Sequence, residues 1–186
     1  MSTKTHSESR MKNDKSLEFD NMKTYVITLS QVFPANHPRA GKRTHFAAKV
    51  QDTLDDKPNM ERVDIDYKRH TIRANYPLWA KRFEQIERGE ACLSIRQWSG
   101  KPYASKQVEI ARLTKEDGIG LQKFEVCNNH AGINLWMHFK IDDRPIMSIN
   151  DIPNNDGLSR EDWVDWFKKY DLSKPMAIIH FTKFRY

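Results

Sequence analysis

Two rhythms of apolar and polar residues run along this chain, and the switches between them mark its elements. Residues 1–23 hold almost no apolar side chain before Leu17 and predict a disordered tail. The run Tyr-Val-Ile-Thr-Leu over 25–29 predicts a first strand, opening a single domain over 24–186. Pro34, Pro38 and Gly41 exclude regular structure over 33–41. Phe46, Val50 and Leu54 then recur at spacing four, which predicts a short helix capped by Thr44. A polar loop follows over 55–61. Asn75 is a good N-cap, and Pro77 sits in a first helical turn, where a missing N–H costs nothing. Tyr76, Trp79, Phe83 and Ile86 give the buried stripe of that helix, and Gly89 ends it.

From Ala91 the period falls to two. Strands are predicted over 91–98, 105–113, 121–127, 133–141 and 145–149, with Val108 and Ile110 sharing a face. Turn formers separate them at 99–102, 117–120, 128–132 and 142–143, so an antiparallel meander is expected. Asn154-Asn155-Asp156-Gly157 reads as a loop. Ser159 caps a last helix, with Asp162 at the capping-box position. Trp163, Trp166, Phe167 and Tyr170 form its apolar stripe, and 176–184 predicts a closing strand. The fold class is therefore α+β. Short strands with about three flanking helices fit a closed or nearly closed barrel whose first and last strands pair.

Composition changes this picture little. The chain has 186 residues, 38% of them hydrophobic and 30% charged, enough for one domain with a sizeable core. No apolar run approaches a membrane span, and no apolar leader opens the chain, so no membrane partner and a cytoplasmic location are expected. Cys92 and Cys127 sit apart in strand-like patterns and read as reduced thiols. The seven histidines lack metal-ligand spacing, so no metal or other cofactor is expected. Gly-rich phosphate loops, Gly-x-Ser-x-Gly and His-Glu-x-x-His are absent from the sequence. A net charge of +6 suits a nucleic-acid or nucleotide partner as well as an ordinary basic enzyme.

The candidate chemistry lies in Lys68-Arg69-His70-Thr71-Ile72-Arg73. It sets an amine, a hydroxyl and a guanidinium within six residues. A lysine whose charge is suppressed by burial can act as a base toward a threonine hydroxyl. An arginine can hold a phosphate or carbonyl oxygen. The plainer reading is an exposed basic turn feeding a strand. Gln97 and Trp98 close the following strand, where an indole can stack on a base and an amide can pair with its edge, or where both simply pack. Arg96, Lys101, Lys106 and Arg112 share one hairpin, a candidate phosphate-contacting surface or a solvated face.

The pattern Lys-x-x-Thr-x-Arg, then a helix, then Gly89-Glu90 before an apolar strand, resembles the ASCH domain family. The resemblance runs over 67–113 and resumes at 154–159, with Gly89-Glu90 in place of the family's Gly-Asp turn. It implies a PUA-like β-barrel and either of two functions. One is binding of RNA or a modified nucleoside in the pocket of Lys68, Thr71 and Arg73, with His70, Gln97 and Trp98 beside it. The other is an amidohydrolase deacylating 4-acetylcytidine-type nucleosides, with Lys68 activating Thr71. Family enzymes also use a carboxylate just before the last helix. Its position falls nearest Asn154 here, and Asp156 is the only acid in that segment.

Overall fold

Strand β1, Lys23–Leu29, buries Ile27 and Leu29 on one face. The computed structural model describes residues 22–55, 67–127, 138–146 and 151–186. The tail expected over 1–23 lies outside the described residues up to position 21, and Lys23 already belongs to β1. Helix α1, Phe46–Leu54, buries Phe46, Val50 and Thr53. Its N-cap is His45 in a left-handed conformation (φ 59°), not Thr44. The Thr44 hydroxyl still accepts the Phe46 N–H, at a long 3.4 Å, while it donates to Ser30 O at 2.7 Å, tying the entry of α1 to the end of β1. Most of the polar loop expected over 55–61 lies outside the described residues.

Strand β2, His70–Arg73, is short and largely buried. Helix α2, Tyr76–Glu87, follows the sequence reading closely. Asn75 Oδ1 accepts from Leu78 N at 3.2 Å, Trp79, Phe83 and Ile86 are buried, and Gly89 (φ +75°) ends the helix. Strands β3, Ala91–Trp98, and β4, Gln107–Leu113, form an antiparallel hairpin. Ile95 pairs with Ala111 and Arg96 with Glu109, so Ile110 is an extra residue in β4. This bulge breaks the alternation that set Val108 and Ile110 on one face; Val108 is exposed and Ile110 half-buried. β1 joins β3 in parallel, from Lys23 opposite Ala91 to Leu29 opposite Gln97.

Strands β5, Gly120–Cys127, β6, His138–Ile141, β7, Arg144–Ile146, and β8, Met176–His180, join β2 in a second sheet. Its order is β2-β8-β5-β6-β7 and it is antiparallel throughout. Asp142 and Asp143, with φ of 48° and 66°, make the tight turn between β6 and β7. The turn expected at 128–132 and the strand portions 133–137 and 147–149 lie outside the described residues.

The expected barrel does not form among the described residues. Among the described residues a three-stranded sheet, β1-β3-β4, and the five-stranded sheet remain separate, and neither closes. The first and last strands do not pair: β1 goes to β3, while β8 lies between β2 and β5. The meander expected over 91–149 holds for β3–β4 and β5–β6–β7 and breaks between β4 and β5, which lie in different sheets; β1, outside that run, pairs with β3 in parallel through a crossover carrying α1, β2 and α2. The α+β class stands, with four α-helices rather than three among the described residues.

The segment expected as a loop over 154–157 begins inside a short helix, α3, Asp151–Asn155, with Ile152 buried and Pro153 tolerated in the first turn. Helix α4, Arg160–Phe167, starts where expected: Ser159 Oγ accepts from Asp162 N at 3.1 Å. The Asp162 carboxylate does not close the box, because it pairs with Arg39. Trp163 and Phe167 are buried, Trp166 is half-buried, and Tyr170 is exposed. β8 stops at His180 rather than 184, since Thr182 Oγ1 takes the Phe184 N–H in a local turn at 3.3 Å. Among the described residues no helix is long and apolar enough to cross a membrane.

Candidate active site

Lys68 enters β2 from a segment pinned on both sides. Its N–H donates to Thr53 Oγ1 at 3.0 Å and Lys49 O at 3.2 Å on α1, and Arg69 N donates to Asn155 O at 2.7 Å on α3. The lysine side chain is thereby carried inward, where it is 1% exposed. A buried ammonium needs partners. Lys68 Nζ donates to Asp156 Oδ1 at 2.5 Å and to Asp156 O at 2.6 Å, and it lies 4.1 Å from the centroid of the Phe46 ring. Asp156 is itself 4% exposed. Burial pushes the Lys68 amine down to about 8; Asp156 opposes this, while Arg73 and Lys49 add to it. Burial likewise raises the Asp156 carboxyl, against the pull of Lys68 and Arg73.

The chain turns sharply after Asp156. Gly157 (φ +75°) takes a left-handed conformation, and a Cβ there would stand 3.2 Å from Lys68 Cβ and 3.3 Å from Tyr67 O. That close approach sets the carboxylate against the amine.

Thr71 and Arg73 share the space with this pair. Arg73 Nη1 donates to Thr71 Oγ1 at 2.9 Å and to Ile72 O at 3.0 Å, and its Nη2 donates to Thr28 O on β1 at 3.0 Å. Arg73 thus bridges the two sheets and presents cationic charge beside the threonine hydroxyl. Among the described residues no hydrogen bond joins Lys68 Nζ to Thr71 Oγ1. The cavity measures about 220 Å³. Lys68, Thr71, Arg73 and Asp156 supply its chemistry, Phe46, Trp166, Phe167 and Tyr170 its aromatic walls, and Thr28 and Ser30 much of its polar edge.

The structure thus gathers four of the predicted residues: Lys68, Thr71, Arg73 and Asp156. Others lie elsewhere. His70 points from the opposite face of β2 toward Tyr186, with Nε2 and Oη 2.8 Å apart, and faces His180 across the strand pair. The alternation of a strand separates it from Thr71. Gln97 does not line the cavity, though its Nε2 donates to Ser30 O at 3.4 Å near the edge. Trp98 packs on Tyr103 with ring centroids 5.3 Å apart, away from the cavity.

On the hairpin, Arg96 and Arg112 both converge on Glu109, at 3.6 and 3.0 Å, so their charge is largely met within the protein. Lys101 and Lys106 are exposed near its tip.

The sequence reading missed Phe46, Thr28 and Ser30. Phe46 was legible only as part of a buried helical stripe, and its role as the face above an ammonium depends on long-range packing.

Among the described residues no cluster of three or more His, Cys, Asp or Glu side chains is arranged to hold a metal ion. The set present is instead an amine, a carboxylate, a hydroxyl and a guanidinium. It can hold a carbonyl oxygen, move a proton and offer a nucleophile. No protein-family model, curated protein or solved structure matches this chain.

Proposed function

We propose that the protein is an amidohydrolase whose pocket takes an acylated nucleobase, with Thr71 as nucleophile, Lys68 as base and Asp156 holding Lys68 in place. The observation that carries this reading is the 2.5 Å contact of Lys68 Nζ with Asp156 Oδ1 in a buried space that Thr71 and Arg73 also line. A lysine lowered to about 8 is neutral in a fraction of roughly a tenth at pH 7, enough to act as a base. The cavity, about 220 Å³, is smaller than the ~300–1,000 Å³ of drug-sized sites and suits one ring bearing a small acyl group. Aromatic walls suit a planar base. The substrate class itself comes from the ASCH resemblance, which we read as carried by this pocket rather than by a closed barrel. We also place the protein in the cytoplasm, in keeping with two free thiols, Cys92 and Cys127.

The chemistry balances in two steps. Thr71 Oγ bonds to the acyl carbon while its proton passes to neutral Lys68. Arg73 faces the developing oxyanion. The C–N bond then breaks, and the exocyclic amine leaves with that proton. Water cleaves the threonyl ester, restoring the hydroxyl and releasing a carboxylic acid.

A second reading, recognition of RNA or a modified nucleoside without chemistry, is favoured by one observation. The Thr71 hydroxyl already accepts from Arg73, and Lys68 is turned to Asp156 rather than to Thr71.

Acetate release from 4-acetylcytidine separates the two. We expect release by the wild type and its loss by at least two orders of magnitude in Thr71→Ala and Thr71→Val. Nucleoside binding without acetate release by the wild type, weakened in Thr71→Ala, would make the pocket a recognition site and end the enzyme reading.

A further inference from the structure

The wall that holds the Lys68–Asp156 pair has a second side. Along β2's approach, Lys68 faces the small cavity while Tyr67 and Arg69 line a separate groove of about 870 Å³. After α3, Asp156 faces the cavity while Asn155 and Gly157 line the groove. On α1, Phe46 serves the cavity and Lys49 the groove. The same three segments therefore build two spaces back to back.

The groove's described lining is rich in cations: Arg39, Arg43, Lys49 and Arg69, against the acids Asp52 and Asp162. Asp162 is already committed to Arg39. Lys49 Nζ donates to Gly157 O at 2.8 Å, which sets it in the floor. Arg43 is exposed and, among the described residues, has no carboxylate partner. Arg69 is different again. Its guanidinium lies 5.3 Å from the Tyr67 ring and 5.4 Å from the Phe184 ring, and among the described residues no carboxylate meets it. Two aromatic faces thus hold a half-buried guanidinium whose N–H groups, among the described residues, meet no acceptor.

We propose that this groove binds the phosphate groups of a single-stranded nucleotide chain, with Arg43 and Arg69 as the principal contacts. Guanidinium groups match phosphate oxygens in paired geometry. The groove is several times larger than a lone phosphate needs. Tyr67, half-buried in the groove's lining, offers an aromatic ring beside the charges, on which a splayed base can lie. An acidic peptide would use the charges but not that surface. The inference goes beyond the pocket reading and does not require that the pocket hydrolyse anything. It also moves the phosphate-contacting surface from the β3–β4 hairpin, where Glu109 absorbs Arg96 and Arg112, to the other side of the pocket wall.

The test is fluorescence anisotropy of a short labelled single-stranded RNA with the full chain, titrated across salt. Arg43→Ala/Arg69→Ala should weaken binding at least tenfold and flatten the log–log salt slope by about 1.4, at ~0.7 for each phosphate that is no longer neutralised. Lys101→Ala/Lys106→Ala should leave affinity within about twofold. Arg43→Glu alone keeps the Arg69 packing intact and should weaken binding severalfold, so the test survives if the double variant folds poorly. The proposal is overturned if the hairpin variant loses binding and the groove variants do not. Binding of an oligoglutamate peptide as tight as that of RNA, or RNA binding that ignores salt, overturns it equally. RNA held through Arg43 and Arg69 with no acetate released from 4-acetylcytidine would support the groove and defeat the pocket reading.

Discussion

Lys68 shows how one side chain's surroundings decide its chemistry. Its amine is lowered to about 8 because burial outweighs the neighbouring carboxylate. For a base, the neutral form is the active one. Hydrolysis should therefore rise with pH and level off above about 8. Asp156 pulls the amine's affinity for protons upward, so Asp156→Asn should move the half-maximal pH downward as well as lowering the rate. A pH profile of acetate release reads both effects; a midpoint that stays put or climbs in Asp156→Asn would contradict the assignment of Lys68. Lys68, Thr71 and Arg73 were legible in the sequence because they lie within six residues. Asp156 was picked out only because the ASCH resemblance implies a carboxylate in the segment 154–157, where it is the only acid. The Phe46 ring and the Arg73–Thr28 bond were not, since each joins residues distant in sequence. His70 was misplaced for a simpler reason: adjacent strand residues face opposite ways.

At the scale of elements, the turn between α3 and α4 sets the site's geometry. Gly157 and Gly41 have nearly the same φ, +75° and +76°, but a Cβ at Gly41 meets nothing within 4 Å, whereas one at Gly157 meets Lys49, Lys68 and Tyr67. Gly41→Ala should thus cost only the left-handed conformation, about 1–2 kcal/mol. Gly157→Ala should cost that and crowding on top, because Tyr67 O is backbone and Lys68 is held by its ion pair. Urea unfolding of the two variants measures the difference directly; equal losses would mean that the turn yields without moving Lys68. The helices themselves were readable from periodicity and caps, as Asn75 and Ser159 show. Thr44 was not readable as a strand tie, because a hydroxyl before a helix has the same local signature whether it caps or reaches Ser30 O.

At the scale of the whole molecule, pairing between distant strands escapes a local reading. The apolar pattern located the strands other than β2, His70–Arg73, which read only as a basic turn, and nothing in it says that β1 runs parallel to β3 or that β2 joins the other sheet. That arrangement places His70 and His180 opposite each other on β2 and β8, both fully buried, with ring centroids 5.6 Å apart. Tyr186 Oη meets His70 Nε2, and among the described residues His70 Nδ1 and both His180 nitrogens have no partner. Burial lowers His180 to about 3, with Arg185 adding to the effect. Burial also lowers His70, with His180 and Lys68 adding. Each imidazole is held neutral by the fold and has an ordinary value near 6.5 when unfolded. The unfolded chain therefore takes up protons that the folded chain refuses. Stability from this pair is complete above pH 6.5 and drains away as pH falls toward 3. We expect the melting temperature to fall steeply below pH 6.5, and to fall less steeply in His180→Phe, which fills the space without a titrating group. Carboxylates contribute acid sensitivity to both proteins, so the slope difference isolates the histidine. Parallel melting curves for wild type and His180→Phe between about pH 6.5 and 4.5 would show that the buried pair does not couple protons to folding.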